Sequence, residues 1–185
     1  MIRPTILRTE SIILRPFEPM DIDSHYEAAL ESVDSIYPWL PWCHPVYKRV
    51  ESKTWVESRQ KEWEQGISYD FVIADALDGF FLGACALNSM NREHTFSNLG
   101  YWVRTCRTRR GIATAASRLL VRFGFDTLRL KRIEISIAVG NGPSVRVAEK
   151  LGALREGVLR NRIMTAYGVS DAVMYSLIPE DIKGE

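Results

Sequence analysis

The 185-residue sequence holds only three cysteines, Cys43, Cys85 and Cys106, far apart and with no CxxC pair. An odd, scattered set cannot close into a disulfide framework, so they read as free thiols in a reducing, cytoplasmic setting. Long hydrophobic runs are also missing. The N-terminal stretch carries Arg3 and Arg8 around short apolar pieces, which excludes a signal-peptide core, and no segment is long enough to cross a bilayer. Net charge is close to nil, formally +1. No global field therefore draws the chain to nucleic acid or to an acidic membrane, and any anion site must be local. Linkers, repeats and low-complexity segments are absent too. That leaves one domain over residues 1–185, with its core spanning about residues 9–180.

What is present is an ordinary globular share of hydrophobic residues, 46%, laid out with readable periods. Ile12 to Leu14 is a short strand, and Asp21 or Asp23 caps a helix through Tyr26, Ala29 and Leu30. The stretch Tyr37 to Tyr47, rich in proline and aromatics, cannot be a regular helix. Trp55, Val56, Arg59 and Trp63 then fall at helical spacing over Val50 to Gln65, stopped by Gly66. Tyr69 to Ala74, Phe80 to Asn88 and Phe96 to Val103 read as an antiparallel meander. Ile112, Ala115, Ala116, Leu119, Leu120 and Phe123 mark a strongly amphipathic helix. Arg132 to Val139 alternates, with Ile133, Ile135, Ile137 and Val139 on one face. Gly142 and Pro143 open a short helix that Gly152 ends, and Leu154 to Leu159 and Val169 to Leu177 are the last strands. The sum is an α+β fold, with a mostly antiparallel sheet and helices packed on its faces.

The segment Tyr101 to Thr114 runs from a strand, through a turn with four arginines, into the amphipathic helix. Unbonded N–H groups at a helix start, with the positive end of its dipole, make an anion site. Gly111 lets backbone approach a phosphate, small Ala113 and Thr114 leave room, and Arg109 and Arg110 add charge-assisted contacts. The turn alone does not name its ligand, and a solvated basic loop remains the competing reading. A nucleic-acid patch is disfavoured because the basic run is short and the rest of the chain is balanced.

The order of strand, basic turn, Gly-x-Ala and helix, followed one strand later by Asn141-x-x-Ser144, resembles the GNAT acetyltransferase superfamily. Val139 to Ala153 is similar to the strand end and helix of its RimJ/RimL branch, which acetylates ribosomal-protein N-termini. Glu10 to Phe17 and Asp171 to Leu177 look like the two ends of the same branch. The likeness covers nearly the whole chain. It implies α/β/α layers and a sheet splayed between the strand ending at Val103 and the strand ending near Val139. The pantetheine arm of acetyl-CoA would enter that opening, with no metal and no covalent enzyme intermediate. Trp102, Val103 and Arg104 would pair with the arm's amides. The backbone of Arg109, Arg110, Gly111, Ile112, Ala113 and Thr114 would cradle the pyrophosphate, and Asn141 and Ser144 would contact the arm. One departure stands out: Thr108 occupies the place where the family usually has Arg or Gln, and the basic residues are shifted onto Arg107 and Arg109.

Transfer to an amine needs an uncharged nucleophile and an acid for the leaving thiolate. Relatives often place a tyrosine acid on the helix after the Asn-containing loop, but the matching residue here is Ala148. Ser144 is the substitute, with a purely structural first-turn role as its competitor. Glu93, His94 and His44 are the candidate bases. Trp39 and Trp42 are placed by the resemblance on the acceptor side, where they would wall a slot for a peptide N-terminus. The expected partners are thus acetyl-CoA and a protein N-terminus or a small amine, with no nucleic acid or membrane. A non-catalytic acetyl-CoA sensor is the reading from another class, and a homodimer is left open.

Overall fold

The computed structural model describes residues 2–182. Its strands are β1 (Leu7–Arg8), β2 (Ile12–Pro16), β3 (Tyr69–Asp75), β4 (Phe81–Asn91), β5 (Phe96–Val103), β6 (Arg132–Ala138), β7 (Leu154–Thr165) and β8 (Gly168–Leu177). The helices are α1 (Ile22–Ile36), α2 (Arg49–Gln65), α3 (Ile112–Arg122) and α4 (Gly142–Lys150). The strands form one sheet in the order β1-β2-β3-β4-β5-β6-β8-β7. Every neighbouring pair is antiparallel except β5 and β6.

Both faces of β3 and the first part of β4 are covered, so these strands read as buried runs rather than clean alternations. Phe71, Ile73, Leu87, Leu99, Ile133, Ile135 and Leu177 pack with Leu120 of α3 and Ala148 of α4. Val72, Ala74 and Ala84 point the other way and pack with Ile22 and Ala28 of α1 and Val56 of α2. Each fully buried Leu or Ile contributes roughly 1.5–3 kcal/mol relative to exposure. This is the layered, mostly antiparallel architecture expected from the pattern of periods.

Three differences have local causes. β1 is only two residues long and held by pairing with β2, too short to show a period. Val139 lies outside β6 and is half exposed, because the chain turns there into Gly140 at φ 94°. β7 continues to Thr165 rather than ending at Leu159, resuming its pairing with β8 at Ile163 after an irregularity.

The feature that positions a site is a fork. β5 and β6 pair only over Phe96–Asn98 with Arg132–Glu134. Beyond that point β5 stays with β4 as far as Val103, and β6 stays with β8 as far as Ala138. Asn98 sits in the crotch: its Oδ1 accepts from the Ser136 N–H at 3.2 Å, and its Nδ2 donates to Asn88 Oδ1 at 3.1 Å. A side-chain amide thus takes over where strand-to-strand bonding stops. On the far side of β5, a Cβ on Gly83 would stand 2.2 Å from the Trp102 carbonyl oxygen, so only glycine allows that close approach.

Candidate functional site

The turn after β5 is clamped from α1. Arg104 still belongs to the sheet, its N–H donating to the Leu82 carbonyl at 2.9 Å. Its side chain, only 10% exposed, donates from Nε and Nη2 to Glu31 Oε2 at 2.9 and 2.5 Å. The other oxygen of Glu31 accepts from the Cys106 N–H at 2.7 Å, while Ser32 Oγ accepts from the Thr105 N–H at 3.0 Å. Burial alone would raise the Glu31 carboxyl, but the Arg104 guanidinium and the Cys106 contacts hold it down at about 2.

Past this clamp the backbone curls. Arg109 at φ 61° and Gly111 at φ 78° are both left-handed, and α3 begins immediately afterwards. The first bond back onto the turn is Ala115 N–H to the Gly111 carbonyl at 3.0 Å. The amides of Ile112, Ala113 and Thr114 therefore stand at an open helix start, and the left-handed residues before them shape a concavity of the kind that suits an anion. Here the structure brings together Arg109, Gly111, Ile112, Ala113 and Thr114 on one wall of a cavity of about 780 Å³. Trp102 and Val103 line it from β5, and Asn141 and Ser144 from the start of α4. Arg104 and Arg110 do not line it.

At α4, Asn141 caps the helix by accepting the Ser144 N–H at 3.2 Å, which leaves the Ser144 hydroxyl for other work. That hydroxyl lies 2.8 Å from the phenol oxygen of Tyr101, which is also 3.1 Å from the Ser144 carbonyl. Burial pushes the Tyr101 phenol up to about 12, against a smaller opposing effect of the Ser144 bond. The pair is thus protonated and neutral throughout the physiological range. Tyr101 escaped the sequence reading. Its signal was the alternation of β5, which turns Trp102 toward α1 and α2 and so must turn Tyr101 toward α3 and α4.

The acceptor-side expectations divide. Trp39 lines the cavity, 3.8 Å from where a Gly140 Cβ would lie. Trp42 does not. It stacks on His25 with centroids 5.8 Å apart and meets Tyr47 and Trp102 edge-on, packing the loop onto the body of the protein. His25, 2% exposed, bonds Ser52 Oγ at 2.9 Å through Nδ1 and is held down to about 4 by burial, Asp21 opposing. His44 is committed to Glu51 at 2.9 Å. Glu93 and His94 lie in the turn before Phe96, at the closed end of the fork, roughly 20 Å along β5 from its opening by strand rise. Among the described residues lining the cavity, none is Asp, Glu or His. Nor do the cysteines offer a nucleophile. Burial pushes Cys43 to about 11 and raises Cys85 further, and the Glu31 hydrogen bond raises Cys106.

Arg162, Ile163 and Met164 of β7 also line the cavity, and no period or motif pointed to them.

Residues 11–154 match a family model described as an acetyltransferase (GNAT) domain. The chain is 30% identical over 181 residues to the "Putative ribosomal N-acetyltransferase YdaF" of Bacillus subtilis (strain 168), covering 95% of this chain and 96% of that protein. Mycobacterium smegmatis RimJ, solved in complex with CoA-disulfide, is 25% identical with a TM-score of 0.87, over 98% of this chain and 90% of that one. Microcin C7 self immunity acetyltransferase MccE, solved with acetyl-CoA and AMP, shares the fold at a TM-score of 0.86 and 20% identity, over 92% and 93%.

Proposed function

The chain belongs to the GNAT acetyltransferase family and is an acetyl-CoA-dependent acyltransferase, and we propose that its acceptor is the α-amine at the N-terminus of a protein or peptide. The observation that carries this reading is the lack of Asp, Glu and His among the described residues lining the cavity. With no base at hand, the amine must arrive neutral. An α-amine with a pKa of about 7.7–8.0 is roughly one-third neutral at pH 7.5, whereas an ε-amine of about 10.4 is neutral to about one part in a thousand. The same absence counts against polyamines and amino sugars, which would meet Arg107, Arg109, Arg146, Lys150 and Arg162 with no carboxylate to offset them. The name of the relative YdaF, "Putative ribosomal N-acetyltransferase", points the same way.

The residues present suit a polyanionic thioester. The left-handed turn at Arg109 and Gly111 and the open start of α3 suit a pyrophosphate. The free edge of β5 past Leu99 offers strand bonds to an extended amide-bearing arm. When bound, acetyl-CoA supplies an activated acetyl group. The amine nitrogen bonds to the acetyl carbon, the carbon–sulfur bond breaks, and the sulfur leaves as thiolate. Tyr101 and Ser144 then hold a proton at Ser144 Oγ. Direct donation from a phenol at about 12 to a thiolate, for which about 8.5 is ordinary, is uphill. The pair therefore stabilises the departing sulfur as a hydrogen-bond donor and relays to it the proton that the nitrogen loses as the amide forms, so that the products are the N-acetyl amide and the free thiol. This arrangement also argues against a non-catalytic sensor, which has no use for such a pair.

The test is release of free thiol from acetyl-CoA with peptides bearing a free N-terminus, the same peptides blocked at the α-amine but carrying lysine, and spermidine. Transfer to the free N-termini alone is expected, with mass spectrometry locating the acetyl group. Transfer confined to lysine or spermidine would overturn the reading. Ser144→Ala and Tyr101→Phe are expected to lower kcat by roughly 10- to 100-fold, with a smaller change in the KM for acetyl-CoA.

A further inference from the structure

We infer that Arg162 recognises a carboxylate on the acceptor, so that the preferred N-terminal segment is acidic just after its first residue; this rests on the protein-acceptor reading above.

Five cationic side chains border the cavity, and their places in the fold divide them. Arg107 and Arg109 sit on the turn before α3, and Arg146 and Lys150 on α4. Those two elements flank the phosphate concavity, so these four suit the phosphates of coenzyme A. Arg162 comes from neither. It lies on β7, across the sheet order from β5 and separated from β6 by β8.

Strand register shows where this stretch of β7 lies. Ile133, Ile135 and Ile137 of β6 point into the core under α3 and α4, so Ser136 and Ala138 point to the opposite face, the one Trp102 shares with α1 and α2. Ala138 is paired with Ala172, and two residues further along β8, Ser170 is paired with Ile163. Ile163 therefore shares the face of Ala138. Since Ala138 ends β6, this stretch of the hairpin also extends past the strand along the mouth of the fork.

Arg162, which precedes Ile163 and lines the cavity beside it, belongs to a bulge. Leu159 pairs with Ala172 and Ile163 with Ser170, so Arg160, Asn161 and Arg162 together oppose the single residue Asp171. Asn161 takes a left-handed φ of 50°, and its N–H is held by Asp171 Oδ1 at 2.8 Å. The Asp171 carbonyl in turn accepts from the Val139 N–H at 3.1 Å, tying the bulge to the end of β6. Bulges re-aim side chains beside active sites, and this one is pinned without using Arg162. Among the described residues the Arg162 side chain makes no hydrogen bond or ion pair. A guanidinium bordering a cavity with no lining carboxylate is a two-pronged hydrogen-bond donor to one brought by the substrate.

The experiment compares peptides differing only at positions two to four: Ser-Asp-Asp-Asp, Ser-Asn-Asn-Asn and Ser-Lys-Lys-Lys, each with the same neutral tail. Wild-type kcat/KM is expected to favour the acidic peptide over the neutral one by about tenfold, the scale of a partly exposed charged hydrogen bond. Arg162→Gln should bring that ratio near one, and Arg162→Glu should turn the preference toward the lysine peptide, both with unchanged melting temperatures. Equal wild-type rates for the acidic and neutral peptides, or a preference that survives Arg162→Gln, would overturn the inference. Transfer to no peptide at all would instead refute the protein-acceptor reading. The same comparison on free aspartate and asparagine then decides the role of Arg162, equal rates, even nil, counting against it.

Discussion

Removing Glu31 tests whether the turn between β5 and α3 is built from a distance. Glu31→Ala leaves the Arg104 guanidinium, its side chain 10% exposed, with only the Phe81 carbonyl at 3.3 Å and the face of Phe80 at 4.5 Å among the described residues. Breaking a fully buried pair costs about 3–5 kcal/mol. Here the Glu31 side chain is 30% exposed, so water recovers part of that. A loss of about 2–3 kcal/mol follows. For a chain of 185 residues that lowers the melting temperature by roughly 5–10 °C. The Cys106 N–H also loses its partner, so the turn leading to Arg109 loosens and acetyl-CoA affinity falls as well. Replacing Arg104 by Met in the same chain removes the stranded charge, so Glu31→Ala/Arg104→Met should be more stable than Glu31→Ala alone. The measurements are thermal melts of the four members of the cycle and calorimetric titration with coenzyme A. A Glu31→Ala protein melting within about 1 °C of wild type, or strict additivity of the two substitutions, would refute the reasoning.

Three further outcomes are expected. Gly111→Val forces a β-branched residue to φ 78° in open space, so strain of about 1–3 kcal/mol reshapes the turn. The Kd for acetyl-CoA should rise roughly 10- to 100-fold, with Gly111→Asn milder because asparagine tolerates that conformation; equal affinities in a titration would remove the turn from the site. The rate per peptide should climb with pH through the pKa of the peptide's α-amine, about 7.7–8.0. It should then stay level to beyond pH 10, since Tyr101 remains protonated up to about 12. A step below pH 7 that persists when the acceptor is changed would reveal an enzyme base. Stability has a different window. His25 is depressed to about 4 by burial, so the unfolded chain takes up a proton near 6.5 that the folded chain does not. The contribution is present above 6.5 and is lost as pH falls toward 4, about 3 kcal/mol in all, and denaturant melts of His25→Gln should lack that slope.

Much of this was written locally in the sequence. β6 alternates because its odd residues meet the α3 and α4 core while the even ones do not, and Gly66 ends α2 because φ 62° suits it. The shape of the turn before α3 was legible for the same reason: glycine, small residues and a helix start are neighbours in sequence. What was not legible depends on residues that meet only in the fold. Tyr101 reaches Ser144 across 43 positions, and Glu31 braces Arg104 across 73. The loop from Tyr37 to Tyr47 has no period, so nothing local separates Trp39, which lines the cavity, from Trp42. The stacking surface of His25, brought by α1, decides that.

The failure at β7 is of another kind and carries the most information. The strand was read only as far as Leu159, and it is there that the three-residue bulge at Arg160 to Arg162 begins. A strand extending past its neighbour only to pack would gain nothing from an unpaired residue at φ 50°. Such a departure is retained where it places something, and here it places Arg162 and Ile163 at the mouth of the fork. The same logic applies to Asn98. A polar residue in an apolar strand is a defect by pattern, yet its amide holds the Ser136 N–H where the two half-sheets separate. In this chain the regular stretches build the scaffold, and two of the irregular ones mark where the scaffold opens and what it meets.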